Sequence, residues 1–476
     1  MISIDILPDD VLLEIFDFHL NEYSDEDLVT IEYKIVREQW QTLVHVCRRW
    51  RSVVFGSPRR LNLRLVCTQG TPTRNTLDLW PSLPLVIRDS SGQRKNEDVD
   101  EIIAVLERRD RVIEIILILV DYSNLENILA AMQATFPELT RLILSPYEDD
   151  GIVSVLPDSF LGGSAPRLEF LLLDRIPFPG LPKLLLSATH LVRLRLENIP
   201  HSGYISPEVM VTALPTLTSL EQLWLEFDSP QSYPDQASRR PPPLTCSVLP
   251  ALTSFRFKGV GDYLDNLVAR IDTPQLKSLR LTFFNQVLFD TPHFIQFMSR
   301  TPALKVLEKA LVRFTDGDSK VNLSSQAPGG TLDVKVPCKE LDWQVSSMEQ
   351  VCTSCLPPLS TLEDLYIYEK PVSPPIWQDN IENALWLELL QPFTAVKNLY
   401  LSEKFASRIM PALRDLVEGR STELLPVLQN IFLEELQPSP TVQATIQQFF
   451  AARQVTSHPI AVSRWDDAKE VMDRQV

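Results

Sequence analysis

Two cysteines three positions apart, Cys352 and Cys355, form the spacing in this 476-residue sequence that comes nearest to redox or metal chemistry. A Cys-x-x-Cys pair does redox work when it opens a helix in a thioredoxin-like setting, and it holds zinc when two further ligands lie nearby. Cys338 is the only other cysteine within 20 residues, and no histidine is close. We therefore interpret one or both cysteines as core residues of a helix over residues 346–356.

Other patterns that carry catalysis are incomplete. The six histidines show no metal-binding spacing, and Gly162-Gly163-Ser164 lacks the flanking pattern of a nucleophile elbow. Gly259-Val260-Gly261 has Leu264 where a dinucleotide-binding loop needs its third glycine. The sequence thus predicts no enzyme, no metal and no cofactor.

Composition places the chain among globular proteins. It has 45 Lys and Arg against 62 Asp and Glu, a formal net charge of −17, and 44% of its residues are hydrophobic. These values exclude a wholly disordered or fibrous chain. General nucleic-acid binding needs a net basic surface, so no nucleic-acid partner is expected. The 14 glycines and 37 prolines indicate many short elements.

The sequence gives no sign of export or membrane insertion. Its first ten residues hold three aspartates and no basic residue, unlike a secretory signal. The longest apolar run, residues 115–120, is far shorter than the ~20 residues of a membrane span. The six scattered cysteines do not form a disulfide framework. We expect a protein of the cytoplasm, the nucleus or both, with no membrane contact.

The first 55 or so residues predict helices. Pro8 suits the first position of a helix, and Val11, Leu12, Ile15 and Phe16 follow at helical spacing. A second helical run is predicted over residues 28–54. Its apolar face consists of Trp40, Leu43, Val44, Cys47 and Trp50.

From residue 57 onward, short strands recur. Alternating leucines predict strands at 61–65 and 83–87, and a helix over 101–109 precedes a buried strand over 112–120. The pattern Leu-x-x-Leu-x-Leu then recurs in ten copies that start 23 to 34 residues apart, except for one interval of 58. Leu332, Val334 and Val336 predict another strand in that interval. The copies begin at Leu139, Leu168, Leu191, Leu220, Leu252, Leu276, Leu304, Leu362, Val396 and Leu428, and the copy at Leu304 and Leu307 is the weakest.

A period of roughly 20–30 residues with this motif is typical of leucine-rich repeats, whose units bury their apolar faces by stacking. A regular repeat has Asn or Cys eight residues after its first leucine. Here that position holds residues such as Tyr147 and Ile176, so an irregular arc is predicted. Proline-rich inserts at 230–250 and 371–375 indicate surface loops.

Two segments near the start of the chain together resemble an F-box. The matching residues are Leu7-Pro8-x-x-Val11-Leu12-x-Glu14-Ile15-Phe16 and Trp40-x-x-Leu43-x-x-Val46-Cys47-Arg48-x-Trp50-Arg51. The chain is similar to the large group of F-box proteins of mushroom-forming fungi, in which an F-box precedes degenerate leucine-rich repeats. The resemblance implies docking on the Skp adaptor of a Skp–cullin–F-box ubiquitin ligase and, through the adaptor, on a cullin. It implies adaptor contacts by Leu7, Pro8, Val11, Leu12, Ile15, Phe16, Val46, Cys47 and Trp50.

The apolar pattern of the first 55 or so residues also agrees with a docking role. A helical segment of this length has too little core to stand alone, so its apolar stripe must face a partner or the repeats. The alternative is that Leu12, Ile15 and Trp50 pack only against the first repeat and cap it.

Alternate residues of each repeat strand point away from the leucine core, and some of them suit protein binding. A basic run crosses the middle strands and an aromatic run, with Asn398 and Asn430 beside it, crosses the later ones. We hypothesise that this face binds a target protein with an acidic or phosphorylated segment. The alternative is that Glu197 and Glu226 neutralise the arginines and that the aromatics merely favour strands. The candidate substrate-binding residues are Arg193, Arg195, Trp224, Arg256, Lys258, Arg280, Tyr366, Tyr368, Tyr400 and Phe432.

The predicted fold is α/β, in three parts. A helical F-box over 1–56 precedes an irregular leucine-rich-repeat solenoid over 57–437, in which a curved parallel sheet is backed by helices. A capping segment over 438–476 contains a strand at 460–462 and helices over 442–453 and 466–474. The expected function is a substrate-receptor subunit of the ligase. The alternative is a protein-interaction scaffold that uses the repeats without ligase assembly.

Overall fold

The structure, a computed structural model of the chain, forms two compact units, Met1–Tyr204 and Ile205–Val476. The division lies inside the region predicted as repeats, and the boundaries predicted at 56/57 and 437/438 stay predictions. The described residues are 7–21, 40–68, 77, 82–89, 96–120, 122–147, 155–230, 246–284, 289, 291–325, 329–357, 359–369, 381–418, 424–434, 444, 447–449 and 460–465.

The first unit begins with helices. The prediction of a single helical run over residues 28–54 is wrong in one respect. The part of this run that the structure describes, from residue 40 onward, divides into two helices at residues 45–47. Cys47 has extended backbone and its Sγ accepts a hydrogen bond from Trp50 N at 3.4 Å, so Cys47 caps a new helix. The helices of the first unit are α1 (Asp9–Asn21), α2 (Trp40–Val44), α3 (Arg48–Gly56), α4 (Asn96–Leu106), α5 (Tyr122–Ala131) and α6 (Leu181–Leu185), with 3₁₀ turns at Phe160–Gly163 and His201–Gly203.

The strands of the first unit form a parallel ladder in chain order. Each strand pairs with the next one, and helices or turns lie between consecutive strands along the chain. The predicted strand over residues 112–120 is confirmed at both ends. The strands are β1 (Leu65–Cys67), β2 (Leu85–Asp89), β3 (Val112–Val120), β4 (Arg141–Pro146), β5 (Phe170–Asp174) and β6 (Arg193–Ile199).

Strands β1 and β2 start later than predicted. Leu61, Leu63 and Leu83 are buried, but they precede these strands. The backbone N–H groups of Leu61 and Leu63 donate to the carbonyls of Ser57 and Pro58, just after α3. Since these groups are used in a turn, they cannot join the ladder.

The second unit also contains a run of paired strands. Its strand order is β7-β9-β11-β14-β13-β12-β15-β16-β17-β18, and β8 pairs with β10 in a separate parallel pair. The strands are β7 (Gln222–Phe227), β8 (Ser247–Val248), β9 (Ser254–Gly259), β10 (Ile271–Asp272), β11 (Ser278–Phe283), β12 (Lys309–Phe314), β13 (Asp318–Ser324), β14 (Thr331–Pro337), β15 (Asp364–Glu369), β16 (Asn398–Leu401), β17 (Asn430–Leu433) and β18 (Ala461–Arg464).

Helices again lie between the strands of the second unit. A π-helical turn, Val351–Cys355, continues the fourth of them. The helices are α7 (Pro207–Ala213), α8 (Gly261–Val268), α9 (Pro292–Arg300), α10 (Leu341–Gln350), α11 (Asn383–Leu390) and α12 (Glu403–Glu418), with 3₁₀ turns at Leu214–Thr216 and Pro302–Leu304.

The repeat motif determines the strands in both units. Nine of the ten copies place their second and third positions inside a strand, where those side chains are buried. In β4, for example, exposure alternates, and Leu142 and Leu144 are fully buried. Because strand side chains alternate between faces, each leucine pair enters the core while its neighbours occupy the other face, which we call the outward face. The predicted fold class, α/β leucine-rich repeats with a mostly parallel sheet backed by helices, is confirmed.

The remaining copy, at Leu304 and Leu307, does not form a strand, so that prediction is wrong. Leu304 ends a 3₁₀ turn, and the strand that follows, β12, begins at Lys309. The segment then forms an antiparallel meander of β12, β13 and β14, which stands between β11 and β15. Thr315 closes the first turn, since its N–H donates to Asp318 O at 2.9 Å. The strand predicted from Leu332, Val334 and Val336 is confirmed as β14.

The predicted strand at 460–462 is confirmed as β18, which pairs in parallel with β17. Most of the predicted helix over 442–453, the helix over 466–474, the insert at 371–375 and most of the insert at 230–250 lie outside the described residues.

Inward and outward positions on one strand should differ in their effect on stability. Leu279 in β11 is fully buried, and the next residue, Arg280, is exposed. We expect Leu279→Ala to lower the free energy of unfolding by about 3 kcal/mol, because it leaves a cavity. Arg280→Ala is the matched control, expected to change it by about 0.5 kcal/mol or less. Urea denaturation followed by circular dichroism measures both, and equal effects would contradict this assignment of faces.

Candidate protein-binding surfaces

Helix α1 carries apolar side chains on two faces. Leu12 and Phe16 are buried, at 0% and 1% exposure. Val11, Ile15 and Phe18 remain 38%, 43% and 74% exposed. Residues spaced three and four positions apart share one face of a helix. These three therefore form an exposed apolar stripe, which we call the α1 stripe.

The buried edge of α1 packs on α3. The rings of Phe16 and Trp50 lie 4.7 Å apart between centroids. Arg49 forms an ion pair with Asp9 at 2.7 Å and donates to the carbonyl of Leu7. Helix α3 thus covers one apolar edge of α1, and the described residues leave the α1 stripe exposed.

The front helices are also tied to the start of the sheet. Trp40 Nε1 donates to the carbonyl of Arg64, one residue before β1, at 2.9 Å. The rings of Trp40 and Phe55 meet edge to face at 5.9 Å. Glu14 of α1 forms an ion pair with Arg60 in the turn after α3. These contacts fix α1 relative to the first strand of its unit.

The nine predicted adaptor-contact residues differ in exposure. Pro8, Val11, Ile15 and Val46 are exposed, and Leu12 and Phe16 are buried. Leu7, Cys47 and Trp50 are half-buried. The exposure of Ile15 does not fit the alternative in which the stripe packs only against the first repeat. Sequence reasoning missed Phe18, although its position seven residues after Val11 placed it on the same helix face.

The predicted basic run of the second unit is largely paired with carboxylates. Strand register places Arg256 between Trp224 and Arg280. Arg256 contacts Glu226 at 2.6 Å and lies 4.8 Å above the Trp224 ring. Lys258 lies 5.9 Å from the Phe284 ring. The alternative in which Glu226 neutralises an arginine is confirmed for Arg256.

Asp333 of β14 also neutralises this region. It lies 3.8 Å from Arg280 and 2.9 Å from Lys320, and Asn322 donates to it at 2.6 Å. Sequence reasoning missed Asp333, because the antiparallel meander that brings it beside Arg280 does not follow the repeat motif. Glu226 and Asp333 thus place a carboxylate beside Arg256 and Arg280 respectively.

The aromatic run forms a stacked ladder. Tyr366, Tyr400 and Phe432 pair across β15, β16 and β17, with ring centroids 4.0 and 4.4 Å apart and planes within 9° of parallel. We call these three residues the aromatic ladder. Trp465, the residue after β18, lies 5.5 Å from the Tyr366 ring and 5.7 Å from the Tyr400 ring. The indole covers the ladder and is itself 4% exposed.

Two of the tyrosines proposed for substrate binding are therefore placed differently from the prediction. Tyr366 is 8% exposed and Tyr368 is 1% exposed, so neither presents its ring to a partner. Burial raises the pKa of Tyr368, although the nearby Arg313 opposes the rise. Tyr400 and Phe432 are partly buried against the same cluster. The ladder is mainly a packing feature, and binding by its accessible edges stays a prediction.

Polar side chains form a second ladder beside the aromatic one. Asn398 Nδ2 donates to Asp364 at 2.7 Å, and Asn430 Nδ2 donates to Asn398 Oδ1 at 2.7 Å. The chain lacks asparagine at the usual position of leucine-rich repeats, and these two residues link successive strands at a different position.

Arg193 and Arg195 lie in the first unit, on the outward face of β6. Arg195 is 5.6 Å from the ring of Phe170, on the neighbouring strand. Arg141 approaches the same ring at 4.9 Å. Sequence reasoning missed Arg141, although it precedes the second leucine of its copy, as Arg193 does.

The two cysteines singled out by their spacing are buried. Cys352 and Cys355 are 3% and 0% exposed, in the π-helical turn after α10. Burial raises the pKa of both thiols, that of Cys355 to about 12. Across the described ranges, no group of three or more His, Cys, Asp and Glu residues could hold a metal ion. In the same ranges, no helix is both long and apolar enough to cross a bilayer.

No protein-family model matches the chain, and no match was found among curated proteins. Among solved structures, the chain is similar to the leucine-rich repeat-containing protein LegL7 from Legionella pneumophila. The two share 12% sequence identity, with 81% of this chain and 97% of that chain covered and a TM-score of 0.26.

The burial of the cysteine pair predicts low thiol reactivity. A raised pKa keeps Cys352 and Cys355 protonated at pH 8, and alkylation requires the thiolate. In the native protein at pH 8 we expect iodoacetamide to leave both unmodified, and to modify both after denaturation. Peptide mapping by mass spectrometry measures this, and rapid native labelling of either cysteine would show an accessible thiol.

The cover over the aromatic ladder predicts a stabilising role for Trp465. We expect Trp465→Ala to lower the free energy of unfolding by about 3 kcal/mol, because the indole fills a packed site on Tyr366 and Tyr400. Trp343, which is 54% exposed on α10, is the matched control. Trp343→Ala should change stability by about 0.5 kcal/mol or less in urea denaturation. Similar effects of the two substitutions would mean that Trp465 is not packed on the ladder.

Proposed function

We propose that this protein is the substrate-receptor subunit of a Skp–cullin–F-box ubiquitin ligase. The α1 stripe is the observation that carries the proposal. It lies within the segment that resembles an F-box, and its Val11 and Ile15 are among the residues for which that resemblance implies adaptor contact. An exposed apolar stripe on an otherwise well-packed helix is a feature of helices that dock in a groove of a partner.

The packing of α1 supports a division of roles among the adaptor-contact residues. Leu12 and Phe16 hold α1 on α3, so they position the helix. Val11, Ile15 and Phe18 supply the apolar area that the adaptor would cover. Full burial of a large, initially exposed apolar side chain contributes about 1.5–3 kcal/mol, and a few such anchor residues carry most of the energy of an interface.

In this role the protein performs no chemistry itself. The adaptor would connect α1 to a cullin, and the outward faces of the repeats would hold the target protein. Holding both raises the effective concentration of a target lysine near the ubiquitin-conjugating enzyme. Ubiquitin transfer is then faster because of proximity, with no catalytic group on this chain.

The scaffold function remains the alternative, and it uses the same outward faces. It gives no role to the α1 stripe, which is why we favour the ligase. The two functions differ in one observable, binding to a Skp-type adaptor.

Disruption of the α1 stripe should abolish adaptor binding. We expect Val11→Asp with Ile15→Asp to weaken binding to a purified Skp-type adaptor by at least about 100-fold. The reason is that an anchor residue at the centre of an interface contributes about 2 kcal/mol or more, and each 1.4 kcal/mol is tenfold in affinity. Isothermal titration calorimetry with the full chain measures the change.

Val209→Asp is the matched control for this experiment. Val209 is 47% exposed on α7, in the other unit. This substitution adds an equivalent charge to an exposed valine and should leave adaptor affinity unchanged. Circular dichroism melting confirms that both variants fold. Failure of the unsubstituted chain to bind any Skp-type adaptor, or equal binding by the double variant, would favour the scaffold function.

A further inference from the structure

Four arginines meet on the outward face of the first unit. Register aligns Glu114 of β3, Arg141 of β4, Phe170 of β5 and Arg193 of β6 in one row across the sheet. Arg88 of β2 reaches Glu114 from the adjoining strand, and Arg64 reaches it from the residue before β1. We call Arg64, Arg88, Arg141 and Arg193 the arginine cluster.

The arginine cluster has more positive charge than its surroundings neutralise. Glu114 forms ion pairs with Arg64 and, at 3.8 Å, with Arg88, and its side chain is only 9% exposed. Among the described residues, Arg141 and Arg193 form no ion pair. Within the described part of the chain, Glu114 is the one carboxylate that forms an ion pair with any of these four guanidinium groups, which leaves an excess of three positive charges. This excess occurs in a chain whose formal net charge is −17.

The cluster is also incompletely solvated. Arg88 Nε and Nη1 are buried and meet no hydrogen-bond acceptor within the described part of the chain. Burial lowers the pKa of Arg141, Glu114 opposes that change, and the neighbouring Arg88, Arg193 and Arg64 lower it further. Buried N–H donors without acceptors are rare in folded proteins, and crowded cations repel one another. An anion bound beside Arg141 would reduce the repulsion among these cations.

Phe170 gives the cluster a rigid base. Its side chain is almost fully buried, and the guanidinium carbons of Arg141 and Arg195 lie 4.9 and 5.6 Å from its ring. Stacking of this kind restricts Arg141, and Arg195 beside the cluster, before any ligand arrives. A pre-organised fork of donors binds an anion with less loss of conformational entropy.

The chemistry of the site favours a compact dianion. We propose that the arginine cluster binds a phosphorylated serine or threonine in a segment of the target protein, an inference that rests on the substrate-receptor function proposed above. A phosphoryl group brings a charge of about −1.5 to −2 and three acceptor oxygens to one point, which suits several converging guanidinium groups. A single carboxylate brings one charge.

The neighbouring residues disfavour a long polyanion such as RNA. Asp174 of β5 and Glu197 of β6 are paired in register four positions beyond Phe170 and Arg193, on the same face. Asp174 accepts hydrogen bonds from Ser145 at 2.8 Å and Asn198 at 2.9 Å, so it is held in place. These carboxylates border the positive region and would repel an extended phosphate backbone.

The test begins with an array of peptides that carry a central phosphothreonine or phosphoserine, probed with the full-length protein. The strongest binder is then measured by fluorescence anisotropy beside its unphosphorylated and glutamate-substituted forms. We expect binding of the phosphorylated form alone. Arg141→Gln with Arg193→Gln should weaken that binding about 100-fold, because each charge-assisted contact that is lost weakens binding about tenfold.

Two further variants guard against loss of folding. Arg464→Gln, which removes an exposed arginine of β18 in the other unit, should bind the phosphopeptide as well as the unsubstituted chain does. Arg193→Lys retains the charge but loses the fork, and we expect about a tenfold loss. Circular dichroism melting should give the same midpoint for all variants within a few degrees.

Several results would overturn the inference. These are an array with no binder, equal binding of the unphosphorylated or glutamate-substituted peptide, and unchanged affinity in the double glutamine variant. Tighter binding of a 20-nucleotide RNA than of the phosphopeptide would have the same meaning. Adaptor titration of the same preparations separates the two proposals. Adaptor binding without phosphopeptide binding would contradict this inference alone. Phosphopeptide binding without adaptor binding would contradict the ligase function alone.

Discussion

Alternation along parallel strands is the constraint on which the rest of this structure depends. Each strand can bury its two central leucines only if a neighbouring strand and helix complete the core around them. Backbone hydrogen bonds between strands then hold the register, and the register decides which outward side chains meet. Glu114 lies beside Arg141, and Tyr366 stacks on Tyr400, for this reason. The surfaces of the protein are consequences of its leucine spacing.

Helix α1 differs from the strands, because it has two apolar edges and the described residues cover one of them. Leu12 and Phe16 are used internally, while Val11, Ile15 and Phe18 remain exposed. A stripe of this kind has an unfavourable free energy in water and is expected to persist only where a partner covers it. In the proposed ligase the adaptor covers it, and the sheet faces stay available for a target.

The sequence predicted what depends on local periodicity and missed what depends on contacts between distant segments. The strand over residues 112–120, nine motif copies and β18 follow directly from apolar spacing. The meander of β12 to β14 interrupts the repeat with an antiparallel pair, which leucine spacing does not encode. The cover of Trp465 over Tyr366 joins residues 99 positions apart. Sequence reasoning did not predict that Arg64 and Arg88 belong to the arginine cluster, because the strands near them precede the first motif copy.

Hydrogen–deuterium exchange of the full chain, with and without a Skp-type adaptor, separates the two roles assigned to the molecule. If α1 is the docking helix, adaptor binding slows amide exchange over residues 9–21 and leaves β4, β5 and β6 unchanged. The amides of those strands are then free to respond to a phosphorylated target peptide. Slower exchange in β4 to β6 on adding adaptor, with none in α1, would contradict the division of the protein into an adaptor-binding helix and a target-binding sheet.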